Sequence, residues 1–379
     1  MDRTSELALI DEIADLLARG TTAMAPDVGR VRTVDIVGPA RTEAERALFT
    51  DQPLVVAPGA AVPEPGDFVA DEIAGLPLLV VRGDDGVVRV FLNACRHRGN
   101  IVCQEPQGNR RVFSCEYHAW TYDRQGRCRS TVDRAGFAGL GDADTSLVAF
   151  PTEERHGLIW ARLTAGAALD VAAHLGPDLD AELAGFAPHA LHLYAGETRS
   201  FAFNWKFGVN TFQELFHLAF LHKKTLGSAF ISNVSVYRSY PLHQRLTVVR
   251  STFPEMAAGP ASERTLFPHC TLVYVLFPNT VFVWQLDHLE VWRFTPTPGD
   301  PGSCQVGLWL TTEQEPQTDK ARRHWQRNWE LTKATVYGED FATMANIQRT
   351  VSSGALPEIV YGRNEIGLQD YYRNVAEAV

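Results

Sequence analysis

Two short segments, Cys95-Arg96-His97 and Cys115-Glu116-Tyr117-His118, constrain this 379-residue chain more than anything else in it. Seventeen residues separate His97 from Cys115. Each segment offers one thiolate and one imidazole. Two soft sulfurs and two borderline nitrogens suit either a tetrahedral zinc or a mixed iron–sulfur centre. The distribution of the ligands separates the two. Zinc fingers usually pair Cys with Cys on one loop and His with His on the other. Here each loop mixes them, as expected when one iron takes both Cys and the other both His. The second loop runs on as Cys115-x-x-His118-x-Trp120-x-Tyr122, detail that a zinc site does not need.

With Arg96-His97-Arg98-Gly99 before the spacer and Tyr117-His118-Ala119-Trp120-Thr121-Tyr122 after it, the pattern resembles the Rieske [2Fe–2S] motif. The version is that of ring-hydroxylating oxygenases. The resemblance implies that Cys95, His97, Cys115 and His118 hold the cluster. Respiratory-complex Rieske proteins carry a further Cys in each loop, closing a disulfide. Asn100 and Tyr117 occupy those places here. The remaining cysteines, Cys103, Cys128, Cys270 and Cys304, have no paired spacing and read as buried small residues. That usage fits a reducing, cytoplasmic setting. A net charge of −10 argues against a nucleic-acid partner. The acidic N-terminal stretch lacks the basic-then-apolar order of a signal peptide, and no apolar run reaches bilayer length, so no membrane association is expected.

The fold class expected is α+β. Leu7, Leu9, Ile10, Ile13, Leu16 and Leu17 recur at helical spacing and Gly20 stops them, predicting a helix over Thr4–Arg19. A second short helix is expected over Arg41–Phe49, and residues 1–50 are expected to pack on the catalytic domain. From about 51 to 165 the texture is short strands and turns. Leu78–Arg82 and Val87–Leu92 form a hairpin about Gly83–Gly86, and Gly157–Leu163 adds a strand. This is an all-β module with the two ligand loops at its tip. Residues 166–379 follow as a second domain, entered through a linker over Thr164–Pro188 with a small helix. Its strands are expected at Glu197–Phe203, Arg245–Phe253, Cys270–Phe277, Thr280–Leu286, Glu290–Thr295 and Gln305–Thr311. One helix should run from Asn204 through Leu221, and others over Thr318–Val351 and from Asn364 to the end. A curved antiparallel sheet gripping a helix, with further helices at the C-terminus, is the expected architecture.

The helix after Asn204-Trp205-Lys206 carries Glu214, His217 and His222. Five residues rotate a straight helix by about 140°, so the two imidazoles share a face only if the helix distorts or ends between them. The segment resembles the mononuclear-iron signature of Rieske non-heme iron oxygenases: Asn-Trp-Lys, an acid, then His-x4-His. The resemblance covers nearly the whole chain. It implies that His217, His222 and a later acid hold Fe(II), leaving positions for O2 and substrate. Gly338-Glu339-Asp340 resembles the family's Glu-Asp element, making Asp340 the third ligand and Glu339 its fallback. The sequence departs from the family pattern at three places. Glu214 stands where a bridging Asp is usual, Asn210 replaces an acid, and Phe216 replaces a Tyr. A bridging Glu is known from relatives that oxidise quaternary amines such as carnitine.

What the resemblance implies is a terminal oxygenase. NAD(P)H electrons arrive through a flavin and iron–sulfur reductase, with or without a ferredoxin, and pass from cluster to mononuclear iron. There O2 is reduced, and the activated oxygen attacks a C–H bond or an arene. A head-to-tail homotrimer is implied, with Glu214 connecting a neighbour's cluster His to His217 through its second oxygen. The substrate expected first is a small hydrophobic, aromatic compound, with a quaternary amine next. A non-catalytic Rieske or metal-binding module is the alternative of another class. Phe212, Phe220, Tyr274, Phe282, Trp284 and Trp292 are the candidate pocket residues, and aromatics at alternating strand positions are more often core.

Overall fold

The computed structural model describes residues 1, 3–186, 191–285 and 287–379. The ends of two expected elements, Pro188 of the linker and Leu286 of a strand, lie outside them. The described chain divides into two compact units, one of Phe49–His174 and one of Met1–Leu48 with Leu175–Val379.

The first unit contains three small antiparallel sheets. The expected hairpin is present, with Leu76–Arg82 paired to Val88–Leu92. Phe68, Leu79, Val81, Phe91, Phe113, Trp120 and Tyr122 form its core, and Cys95 and Cys115 are packed into the same cluster. The two Cys/His loops therefore rise directly from this buried cluster.

In the second unit a seven-stranded antiparallel sheet carries the architecture. Its order is His192–Phe201, Asp300–Thr312, His288–Thr297, Thr280–Trp284, Cys270–Leu276, Gln244–Arg250 and Phe230–Ser239. The last of these escapes a sequence reading: its partly exposed residues show no clean alternation. The expected strand over Arg245–Phe253 ends at Arg250, and Phe253 instead begins a short helix. Helix Arg3–Arg19 lies against Phe230–Ser239 and buries Leu9, Ile10, Ile13 and Leu16. The second expected N-terminal helix is two, Pro39–Glu45 and Leu48–Asp51. The expected linker carries two helices, Val171–Leu175 and Pro177–Ala184.

Two departures decide the site. Helix Trp205–Asn210 stops short, and after it the chain turns irregularly through Glu214 to a single 3₁₀ turn, Phe216–Ala219. The C-terminal helix is likewise not continuous: Asp319–Thr335 passes into a π-helical turn, Val336–Asp340, before Phe341–Ser352. Such turns add a residue to a helix and re-aim the side chains it carries.

Candidate metal centres

The two Cys/His loops share one backbone design. Cys95 N donates to Asn100 O at 2.8 Å and Gly99 N to Cys95 O at 2.8 Å; Cys115 N donates to Trp120 O and Ala119 N to Cys115 O, both at 2.9 Å. Each loop closes on a residue of positive φ, 74° at Gly99 and 54° at Ala119. A side chain is strained there, which suits the first position to glycine. The thiols are buried, and the rings of His97 and His118 lie with centroids 4.5 Å apart.

The rest of the motif supports these four side chains. Trp120 stacks on His97 at 5.4 Å, and Phe137 packs edge-on against both. Tyr122 Oη lies 3.2 Å from Cys95 Sγ and accepts from Arg96 N at 3.0 Å. Burial and the adjoining thiol raise the Tyr122 pKa, keeping the hydroxyl protonated and able to donate to sulfur.

A two-iron cluster fits this set. His97 Nδ1 is buried with no hydrogen-bond partner, as an atom reserved for a metal would be. Among the described residues these four do not form a group whose ligand atoms all lie within 4.8 Å. A tetrahedral zinc, with ligands about 2.0–2.3 Å away, would require that they did.

The other centre does form such a group. His217, His222 and Asp340 bring one ligand atom each within 4.8 Å of one another. Asp340 Oδ1 lies 3.1 Å from His222 Nε2 and 3.6 Å from His217 Nε2. Both outer nitrogens are occupied: Glu214 Oε1 holds His217 Nδ1, and Glu339 Oε2 holds His222 Nδ1 at 2.7 Å. Thr225 Oγ1 donates to the same Glu339 oxygen at 2.8 Å. Two imidazoles oriented by carboxylates, with a third carboxylate facing their free nitrogens, fit a divalent iron. Burial holds the Asp340 carboxyl above its ordinary range, a penalty that a divalent cation would offset.

The π turn divides the acid pair between two faces of His222, Asp340 toward Nε2 and Glu339 on Nδ1. The His pair shares a site because the helix has already ended at Asn210. Glu214 is thus not one helical turn from His217 on a common face, yet it reaches His217 through the irregular turn. Its second oxygen does not stay free, contrary to expectation. Oε2 accepts from the backbone N–H groups of Phe216 and His217, so only Oε1 retains a lone pair. Of the two other departures, Asn210 Oδ1 accepts from Tyr372 Oη at 2.7 Å, and Phe216 is 48% exposed.

The Asn-Trp-Lys run is structural. Asn204 caps the short helix through Lys206 N at 3.1 Å, and its own N–H donates to Gln348 Oε1. Lys206, fully buried, pairs with Glu45 at 2.6 Å, and Trp205 Nε1 donates to the same carboxylate.

A cavity of about 430 Å³ opens on the His217, His222 and Asp340 side chains. Of the candidate pocket aromatics only Phe212 lines it. Tyr274, Phe282 and Trp284 lie on the opposite face of the sheet from the lining residues Val273 and Val283. Tyr274 there donates to Glu182, and Trp284 stacks on Phe186. Trp292 packs behind Phe212, and Phe220 is 72% exposed. Sequence reasoning missed Arg250, Gln285 and Glu290, which also line the cavity. The available signal was a charge or amide in phase with apolar residues along a strand.

The profile described as "Ring hydroxylating alpha subunit (catalytic domain)" matches residues 181–379, and that of the "Rieske [2Fe-2S] domain" matches 52–138. The chain belongs to the ring-hydroxylating α-subunit family. Membership implies a [2Fe–2S] cluster and a mononuclear iron. The biphenyl 2,3-dioxygenase α subunit of Rhodococcus jostii is 31% identical over 219 residues, 54% of this chain and 44% of that one. The match thus spans less than half the length of that relative. The 2-aminobenzenesulfonate 2,3-dioxygenase α subunit of Alcaligenes is 24% identical over 87% of this chain and 88% of its own. In fold, the quaternary ammonium Rieske monooxygenase CntA superposes with a TM-score of 0.80 at 20% identity, covering 93% of this chain and 96% of that one. No helix among the described residues is long and apolar enough to cross a membrane.

Proposed function

We propose that this chain is the terminal oxygenase of a multicomponent Rieske system, hydroxylating or dealkylating a small hydrophobic, aromatic substrate. The observation that carries the proposal is the His217, His222 and Asp340 group, held by two outer carboxylates and facing a cavity of about 430 Å³. In this reading the cluster sits on Cys95, His97, Cys115 and His118, in a domain spanning about 51–165. Fe(II) sits in the domain of 166–379, on which residues 1–50 pack. When bound, the two groups would supply a one-electron store and a redox-active Fe(II) centre at which O2 is reduced.

The protein's own part is positional. Glu214 and Glu339 fix the two imidazoles with their Nε2 atoms turned inward, and Asp340 balances charge there. Val248, Val273, Val283 and Leu218 wall the cavity and exclude water from the reacting face. Electrons come from NAD(P)H through a reductase, with or without a ferredoxin, in a cytoplasmic homotrimer. Named aromatic dioxygenases among the relatives support an aromatic substrate. A quaternary amine is the second reading, favoured by Glu214 in place of Asp. Against it, Phe212 and Phe230 are the only Phe, Tyr or Trp rings among the described lining residues, too few for an ammonium cage.

The test is re-oxidation of the chemically reduced protein by O2 in the presence of candidate compounds. Acceleration by an aromatic compound is expected. Acceleration only by a quaternary amine would replace the substrate class, and no acceleration by any compound would remove the oxygenase reading.

A further inference from the structure

We infer that the cavity takes an aromatic acid, its oxyanion bound by Arg250 and its ring lying along the apolar wall that leads to His217, His222 and Asp340. The inference rests on the oxygenase reading and names the substrate class of the same site.

Arg250 ends the strand Gln244–Arg250 and shares a face with Val248; both line the cavity. Thr271 and Val273 on the next strand, and Val283 and Gln285 beyond it, present the same face. The guanidinium is hydrogen-bonded by neutral groups alone, with Asp287 acting on it only as a nearby charge and not as a salt-bridge partner. Nη2 donates to Thr271 Oγ1 at 3.0 Å and to Gln285 Oε1 at 2.9 Å, and Cζ stands 4.9 Å from the Phe230 ring centroid. Nε is buried without a partner. Nη1 donates to no group among the described residues, and no carboxylate among them pairs with Arg250. Burial lowers its pKa, but a guanidinium does not lose its proton in a protein. The site therefore holds a positioned, partly desolvated positive charge with unused donors, a costly arrangement until an anion arrives.

The other charges around the cavity are already committed. Asp287 pairs with His288 Nδ1 at 2.9 Å and with His324 at 3.6 Å. Glu290 accepts from Trp292 Nε1 at 3.0 Å and from Thr332 Oγ1 at 2.8 Å, with His288 Nε2 at 3.6 Å. Glu214 and Asp340 belong to the imidazoles of the metal group. A cationic ligand would meet Arg250 and find no free acid. A carboxylate or sulfonate would form charge-assisted hydrogen bonds with the fork of guanidinium N–H groups, the geometry in which arginine binds best. Phe212, Leu218, Val273 and Val283 leave an apolar space for a ring.

The experiment is calorimetric titration of the anaerobic, iron-loaded protein with benzoate, benzenesulfonate, benzamide and benzyltrimethylammonium. Binding is read without turnover, so a failure of the oxygenase reading shows separately, as absent re-oxidation by O2. At least one of the two anions is expected to bind about tenfold or more tightly than the amide and the cation, and the tighter anion names the oxyanion. Arg250→Gln should weaken that anion about tenfold to a hundredfold and leave benzamide within about twofold. Arg250→Lys, which keeps the charge, should fall between. Iron and sulfide content monitor the fold of both variants. The inference is overturned if neither anion binds, if the amide or cation binds wild type as tightly, or if Arg250→Gln changes all ligands alike.

Discussion

The loops carrying Cys95, His97, Cys115 and His118 repeat one backbone design twice and support it with rings from the same few residues. The group of His217, His222 and Asp340 is assembled otherwise, from an irregular stretch after a terminated helix and a π turn more than a hundred residues downstream. In the first, local backbone geometry aims the Cys and His side chains and the core buries the sulfurs. In the second, carboxylates aim the imidazoles, and those carboxylates are held in turn by backbone N–H groups and Thr225. The cluster loops should therefore fail all at once, and the iron group in graded steps.

Four variants, from the largest effect to the smallest, test that contrast. Cys115→Ser should abolish the visible cluster spectrum and the labile sulfide outright, because a hard hydroxyl poorly replaces a terminal thiolate ligand to iron. Retention of full sulfide would break the ligand assignment.

Glu45→Gln leaves Lys206 charged and buried without its counter-ion, and should cost about 3–5 kcal/mol of unfolding free energy. Denaturant unfolding reads it. A cost within error of zero would mean that the pair does not anchor the short helix ahead of the iron residues. Burial already pushes the Lys206 pKa down to about 8. Removing Glu45 takes away the charge and hydrogen bond that hold this value up, so the folded-state pKa falls below about 8 and stability should rise with pH from there toward the unfolded lysine value.

Glu214→Gln keeps the size of the side chain but must turn an amide N–H toward a donor, either His217 Nδ1 or the backbone N–H groups. Cluster spectrum and sulfide should be untouched. With iron restored by excess Fe(II), re-oxidation of the reduced cluster with substrate and O2 should slow about a hundredfold. Wild-type speed in the iron-replete variant would reduce Glu214 to a turn-stabilising residue. Glu339→Ala removes the partner of His222 Nδ1 and should weaken iron binding about tenfold to a hundredfold, measured by competition with a chelator. Loss of the cluster colour in this variant would contradict the independence of the two centres.

The same contrast explains what was legible in the sequence. The cluster loops are local, so Cys-x-His and Cys-x-x-His spacing reads directly as geometry. The supporting roles of Trp120 and Tyr122 were visible as motif letters before their contacts with His97 and Cys95 were known. At the iron group spacing gives only part of the answer: five residues between His217 and His222 require a distorted or ended helix, but the apolar content of Phe207, Val209, Leu215 and Leu218 gives no sign that it already stops at Asn210. The π turn is equally silent, since Gly338-Glu339-Asp340 continues a plausible helix. The pocket aromatics failed for a third reason. Strand alternation places Tyr274, Phe282 and Trp284 on a common face, but nothing local says which face meets the cavity.

The central claim is that two independent metal centres share this chain, the second resting on Asp340. Iron and sulfide analysis of wild type beside Asp340→Ala addresses it most directly. Wild type should hold about three irons and about two sulfides per chain, and Asp340→Ala about two irons with the same sulfide and an unchanged visible spectrum. Equal iron in both proteins, or sulfide lost together with the iron, would contradict the account.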